Sequence, residues 1–411
     1  MVPDPRRSEG MHGSFGPTIP LWRLRTRWIP FLFAGVAFAS TGAYAASGDE
    51  PERAGWFPSI VVSAVRDDNI LRVEDNATAD TILVAEPAVD WKSLFGKHRL
   101  DLHFDASLAR YKANAGENYN DGLLNGQLVL DLTPRVTVDL DGGSQRSHDY
   151  PGESGTRPRT TTGPDLWREN VLGGTLTYGG RSNAAQVGIT VLSAARSYTN
   201  NGQEGRDRNI DTAGARFSWN VSEKTALYLS AVQSIIDYPN PAPVNLDSTD
   251  RRISIGAHWE ITGITSGDAR IGSTSKDLKD PTLKDFQGVH LSAHAVWEPV
   301  PVDRLRLTAL REPRESDVVN ASYYVVNQLT GIWEHQLTAL VAANILIDSE
   351  QDDYSDGRLD KLRKLGLGLD FDVTERMTIN ATYQLSHRNS NAAGLSYDDK
   401  FIMLSLGLRA L

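Results

Sequence analysis

FSWNVSEKTALYL, residues 217–229, sets Trp219 just ahead of a short polar turn and resumes an alternating apolar pattern behind it. The same punctuation returns along the chain. Trp91 precedes FGKH, Tyr178 precedes GGRS, Trp259 precedes ITG, Trp297 precedes EPVPVD, Trp333 precedes EHQ and Phe371 precedes TERM. A packed soluble core would scatter such aromatics through the middles of its elements. A row of them beside short turns asks for a boundary where a flat apolar ring with a polar tip is at home, and a membrane–water interface is one.

Turn-like breaks fall near residues 96, 134, 181, 223, 263, 301, 335 and 375. LTPRVTVDL, VSEKTALYL and VTERMTINA show how closely the breaks resemble one another. On either side the pattern has period two, the mark of strands with unlike faces. In RISIGAHWEI, Ile253, Ile255, Ala257 and Trp259 oppose Arg252, Ser254, Gly256, His258 and Glu260. Leu291, Ala293, Ala295 and Trp297 stand against Ser292, His294 and Val296, and Leu365, Leu367, Leu369 and Phe371 against Lys364, Gly366, Gly368 and Asp370. Longer polar stretches lie between the short turns: 66–79, 111–121, 148–168, 199–210, 238–250, 277–286, 313–320, 350–358 and 389–397. Each repeat reads as strand, long loop, strand, short turn.

A propeller blade has a similar period but divides it into four short strands, and no Gly-His…Trp-Asp signature occurs. Here one alternation persists for roughly ten residues, the length of a tilted membrane-crossing strand. The expected fold is therefore all-β: an antiparallel transmembrane barrel of about eighteen strands, or sixteen if one hairpin is miscounted, occupying residues 58–411. Closure satisfies every ladder hydrogen bond, so a polar chain can cross hydrocarbon. Trp91, Tyr178, Trp219, Trp259, Trp297, Trp333 and Phe371 form the expected aromatic girdle at the short-turn rim. Tyr111, Tyr150, Tyr198 and Tyr238 are expected to supply a second girdle at the long-loop rim.

Ahead of the barrel, Arg23, Arg25 and Arg27 precede WIPFLFAGVAFASTGAYA, which ends in the small-x-small site Ala43-Tyr44-Ala45. Residues 1–45 thus read as an N-terminal extension with a cleaved signal peptide, and 46–57 as a periplasmic segment. The chain has no cysteine, which removes the disulfide-stapled secreted domains from consideration. Its formal net charge is −10, and residues 1–45 hold five Lys/Arg against two Asp/Glu, so the remainder is more acidic still, at −13. Such a chain is a poor general partner for nucleic acid.

Several stretches resemble the β-barrel porin type 2 group, EpsL-like outer-membrane barrels associated with exopolysaccharide operons. They are VRDDNILR, RYKANAGENYNDGLLNG, DLTPRVTVDLDG, RSHDYPGES, SYTNNGQ and YDDKFIMLSLGL. The resemblance implies an outer-membrane pore tied to polysaccharide secretion and carries over no catalytic residue.

If the apolar face meets lipid, the polar face lines the lumen. The expected pore lining comprises Glu86, Asp90, Arg99, Asp101, Asp105, Asp139 and Asp141 on the early strands. Arg216, Arg252, His258, Glu260, Arg304, Arg306, Lys364 and Asp370 continue it on the later ones, and His103, Asp131, Asn380 and Gln384 share its phase. The acids gather on strands two to five and the arginines on strands eight, ten and thirteen. GESGT at 152–156 lacks the Gly-x-Ser-x-Gly spacing, and the nine histidines form no HExxH pair, so neither enzyme nor metal nor cofactor is expected. The acidic loops around 67–80 and 348–360 do not fit the spacing of an EF-hand and read as solvated.

The function these features support is a passive conduit for exported polysaccharide in the bacterial outer membrane, with both termini periplasmic. The alternatives are a general or small-solute porin and a plugged barrel that binds partners through loops 148–168 and 238–250. The expected partners are outer-membrane lipid and lipopolysaccharide, the barrel assembly machinery and a periplasmic polysaccharide-export protein.

Overall fold

The structure, a computed structural model, describes residues 54–155, 163–180, 183–222, 224–240, 244–261, 264–318 and 320–410. The signal-peptide reading of 1–45 lies outside them. Strands β1 (Gly55–Asp67), β2 (Asp80–Phe95), β3 (His98–Tyr111), β4 (Tyr119–Thr133), β5 (Val136–His148) and β6 (Leu166–Tyr178) open the array. They are followed by β7 (Ala185–Tyr198), β8 (Arg208–Ser222), β9 (Thr225–Asp237), β10 (Ser248–Ile261), β11 (Thr265–Leu278) and β12 (Phe286–Val300). β13 (Asp303–Glu315), β14 (Tyr323–Gln336), β15 (Val341–Tyr354), β16 (Leu359–Thr374), β17 (Met377–Ser390) and β18 (Tyr397–Arg409) complete it. Each strand pairs antiparallel with its neighbours in sequence, and β18 returns to β1 from Ser59–Arg409 to Asp67–Phe401. The result is a closed eighteen-strand antiparallel barrel with eight short connections at one rim and nine long ones at the other. β1 starts at Gly55, ahead of the expected boundary at 58.

The likeness among the short turns has a local cause. Thr133, Ser222 and Thr374 each end a strand with a hydroxyl that accepts the backbone N–H two residues on, at 3.2, 3.3 and 3.2 Å. This serine/threonine turn satisfies a donor that the reversing backbone would otherwise leave exposed. At the same three turns the register slips by one residue, between Asp131 and Thr133, Asn220 and Ser222, and Asp372 and Thr374. Such bulges sharpen the twist where the chain turns back.

Alternation decides which side chains face out. On β10, Ile255 is 63% exposed while its neighbour Ser254 is 2% exposed. The pattern holds round the wall: Leu172, Ile189, Phe217, Ile271, Leu329, Leu367 and Leu404 face outward and are exposed. A continuous apolar outer wall of this kind is stable only against hydrocarbon. Trp91, Tyr178, Trp219, Trp259, Trp297, Trp333 and Phe371 all lie on the outward face near the short-turn rim. Trp56 joins them, stacked on Trp91 at 5.6 Å between ring centres. Trp91 and Trp259 are only half-exposed: Trp91 is covered by Trp56, and the Trp259 indole lies over Gly267 on the adjacent strand.

The second girdle is not formed. Tyr198 and Tyr238 are each 5% exposed, Tyr111 packs beside Val65 and Ile82, and Tyr150 packs against Tyr119 and His148. Strand parity turns Tyr111 and Tyr198 inward, since they pair with the inward-facing Ile82 and Trp167. What keeps these rings inside is the material that the long loops fold into the lumen.

Candidate functional site: the lumen and the segment across it

The register places every expected pore-lining residue on the inward face. Glu86 and Asp90 lie on β2, Arg99, Asp101, His103 and Asp105 on β3, Asp131 on β4, and Asp139 and Asp141 on β5. Arg216 lies on β8, Arg252, His258 and Glu260 on β10, Arg304 and Arg306 on β13, Lys364 and Asp370 on β16, and Asn380 and Gln384 on β17.

Two sectors of opposite character result. Over β2–β5 the carboxylates dominate, with His103 held between Asp90 at 2.7 Å and Asp105 at 2.9 Å, and Arg99 2.8 Å from Asp101. Over β8–β13 the cations dominate. Arg270 and His290, absent from the sequence reading, and His294, placed there on the polar face, add to Arg216, Arg252, His258, Arg304 and Arg306. These arginines are not bare. Arg216 stacks on Tyr228 at 3.5 Å and lies 3.9 Å from Asp268, and Arg252 lies 3.8 Å from Glu312. Arg304 lies 3.2 Å from Glu298 and Arg306 2.6 Å from Glu334. On the remaining wall Lys364 lies 3.9 Å from Asp348, while Asp370 accepts from Asn344 at 2.8 Å and Asn380 at 2.9 Å.

Toward the long-loop rim the lumen is filled. Every one of the eighteen strands carries an inward residue buried below 9%, from Val65 and Asp67 on β1 to Tyr397, Asp399 and Phe401 on β18. An open eighteen-strand barrel would leave such residues wet. The filling comes from the loops. Ile70, in the β1–β2 loop, packs on Val65, Ile82, Ala109, Phe401 and Met403, and Arg72 bridges Asp67 at 3.0 Å and Asp399 at 2.9 Å. Asp67 and Asp80, at the ends of the acidic stretch 67–80, are built into the interior, while Asp68, Glu74 and Asp75 between them stay exposed to solvent. Asp67, Asp68 and Asp399 come close enough to share a cation, but the Arg72 guanidinium already occupies the space between two of them. Asp80, deeply buried, closes the same loop by accepting four bonds, from the N–H groups of Ala113, Asn114 and Thr81 and from the Asn114 amide.

The β5–β6 loop, a partner-binding surface only in the plugged-barrel alternative, folds inward over its described part. Its described part turns into the barrel at Tyr150 and runs to the far wall. The Gly152 carbonyl accepts from Arg388 on β17 at 3.0 Å. The Ser154 hydroxyl donates to Glu350 on β15 at 2.6 Å, and the Gly155 N–H donates to the Tyr354 hydroxyl at 2.9 Å. The Gly155 carbonyl then accepts the Asp317 N–H at 2.8 Å. β14–β15 lies halfway round the wall from β5–β6, so the segment crosses the lumen. Both glycines are needed. Gly152 has φ +70° with the Arg72 side chain against it, and Gly155 has φ +80° with the Tyr324 ring 2.6 Å from where a Cβ would stand.

Buried charges pin the crossing. Arg206, in the β7–β8 loop, donates to Asp149 and Asp317 at 2.6 Å each and stacks on Tyr198 at 4.1 Å, while Arg208 lies 3.3 Å from Asp317. Burial pushes the Asp317 carboxyl up, but Arg206 and Arg208 outweigh it and hold the group below its ordinary range. Glu153, with fewer cations to offset its burial and with Asp149 nearby, is pushed up to about 7. On β11, Lys276 is fully buried and donates to Ser248 at 2.8 Å, Asp250 at 3.2 Å and Glu315. Sequence spacing carried no signal for any of these pairs, because each joins residues from different loops or strands.

A closed antiparallel barrel with an apolar outer wall, an aromatic band and a charged interior defines a porin-like barrel of the outer membrane. The chain belongs to the family described as Putative beta-barrel porin 2, whose model matches residues 43–410. No curated protein matches the chain. Similar solved structures include the outer membrane protein OpdK from Pseudomonas aeruginosa, at 10% identity, covering 87% of this chain and 99% of that one, with a TM-score of 0.49. OccK9 (OpdG) from the same organism is 13% identical over 87% of this chain and 99% of that one, also with a TM-score of 0.49. The FrpB iron transporter (F3-3 variant) from Neisseria meningitidis is 12% identical over 82% of this chain, with a TM-score of 0.46, and the present chain spans 63% of its length.

Proposed function

We propose that this protein is a passive channel for small hydrophilic solutes, with the β5–β6 segment as its constriction. Short turns and both termini face the periplasm, and the long loops face out. The observation that carries this reading is the crossing of the lumen by Tyr150–Gly155, pinned on the opposite wall at Glu350 and Tyr354. A passage narrowed in this way suits a solute of a few ångströms rather than a chain of sugars. The acidic sector on β2–β5 and the cationic sector on β8–β13 would orient a dipolar or charged solute between them.

Export of a polysaccharide, working with a periplasmic export protein, is the second reading. The resemblance to exopolysaccharide-operon barrels favours it, and so does the polar nature of the pins. Hydrogen bonds and ion pairs can be exchanged for water, and release of the segment would leave the wide bore of eighteen strands. Deleting the gene while measuring both surface polysaccharide and uptake of small solutes separates the two. Slower uptake with unchanged polysaccharide supports the channel reading, whereas lost polysaccharide with unchanged uptake overturns it.

A further inference from the structure

The outward face near the long-loop rim is uneven. On other sectors opposite charges alternate with the cations: Arg251 pairs with Asp277, Lys279 with Asp237 at 2.9 Å and His387 with Asp398 at 2.8 Å, while Lys361, Arg363 and Lys400 on β16 and β18 make no ion pair among the described residues. On β1–β6 the outward residues at this rim are Arg66, Arg110, Arg146 and Arg168, and no outward position of those six strands is acidic. Among the described residues, no carboxylate lies within 4 Å of any of the four guanidinium groups. Arg66 and Arg110 spend their donors on Thr81, Asn120 and backbone carbonyls. Arg146 and Arg168 are directly opposed across β5–β6 and both are exposed. Like charges so placed repel and destabilise the pair unless an anion stands between them.

The wall beside and below this pair is hollow. Gly122 sits opposite Arg146 on β4, with no side chain within 4 Å of where its Cβ would be. One rung down, Ser144 and Asn170 offer polar groups. At the next rung Gly142 and Gly126 face each other, bordered by Leu124, Leu128 and Leu172. Leu102 leans over Gly126, but Gly142 stays open, with only the Leu172 side chain near it, at 3.7 Å. Two cations, a polar step and an apolar trough succeed one another down the strands, in the order in which a lipid presents phosphate, linker and acyl chain.

We propose that the outer wall of β4–β6 binds a lipid whose headgroup carries phosphate, with the phosphate between Arg146 and Arg168 and an acyl chain over Gly142. The planar guanidinium fork matches phosphate oxygens by paired, charge-assisted hydrogen bonds, and two arginines can share one such group. This rests on the long-loop rim lying in the phosphate-bearing leaflet.

The test uses the intact barrel, purified in a neutral detergent, with lipid A as the probe and native mass spectrometry counting retained lipid. Wild type should retain bisphosphorylated lipid A about tenfold better than R146Q/R168Q, and about tenfold better than the same lipid stripped of phosphate. Gly142→Leu, which fills the trough without altering charge, should lower retention several-fold. Arg251→Gln, on the paired sector, should leave retention unchanged. Heat-modifiable gel migration verifies folding of each variant. Equal retention by wild type and R146Q/R168Q overturns the site, and so does displacement of the lipid by millimolar inorganic phosphate, which would mark a free-anion site. Single-channel conductance should be the same for all these variants, so a barrel that conducts nothing refutes the proposed channel and leaves the lipid site standing.

Discussion

The two halves of this barrel are built from the same strands and differ in what stands inside them. Near the short turns inward residues such as Asp141, Ser266 and Glu260 keep contact with water, while Asp139 and Asn380 are covered by their wall neighbours, and the aromatics point out to lipid. Near the long loops the inward residues are covered, and Tyr111, Tyr150, Tyr198 and Tyr238 are inside. One alternation produces both. The wall follows from period two, while the state of the lumen depends on whether a loop has enough partners inside to offset the entropy of being held there.

Removing the anchor of the filled half should have the largest effect. Asp317→Ala leaves Arg206 and Arg208 without a shared buried carboxylate, and breaking a buried pair costs about 3–5 kcal/mol. The wall should still migrate as a folded barrel, while conductance rises and the 149–165 loop becomes a protease target. Unchanged conductance would mean that the crossing segment is not the constriction. Next come charges placed in the wall itself. Ala257→Arg or Leu291→Arg puts a cation against hydrocarbon and should cost about 2–4 kcal/mol, read as impaired assembly. Ser266→Arg, inward in the open half and beside Glu260, should assemble normally, whereas Ser254→Arg, inward but covered, should not. If both serine sites accept arginine, the halves do not differ as described.

The smallest effect concerns pH. Glu153 has its pKa raised from an ordinary 4.5 to about 7 by burial and by Asp149. The seated segment therefore favours the protonated carboxyl. Its contribution is whole below about 4.5 and is lost as pH rises through about 7, by at most about tenfold in the seated-to-released ratio per unit. Conductance should climb between about pH 4.5 and pH 7 in wild type, level off above that, and stay flat in Glu153→Gln. A wild-type profile that is flat, or that falls, would sever Glu153 from the constriction.

Much of the wall was legible in the chain. Trp219, the Ser222 turn and the alternation to Leu229 fix strand length, rim and facing at once, because each obeys a local rule. The inward set from Glu86 to Asp370 follows from the same parity. Trp56 was missed because Pro58 was read as the start of the first strand. The filled half was not legible for a different reason. Its pins join Ser154 to Glu350 and Arg206 to Asp317, residues 196 and 111 apart, and polar loops look alike whether they lean out or fold in. Only Gly152 and Gly155 hinted at it, by sparing the backbone a Cβ where it is crowded.

The seam between β1 and β18 has a consequence for how the molecule comes together. Every other pairing joins strands adjacent in the chain, while this one joins residues such as Ser63 and Ser405, 342 apart. Hairpins can zip up locally, so the seam is the last junction to form and is an open, aggregation-prone edge until it does. Val65 from one side and Phe401 and Met403 from the other meet there, with Ile70 laid over them. This greasy patch gives the two ends of the sheet a reason to find each other, and it would act as the latch of the assembling cylinder.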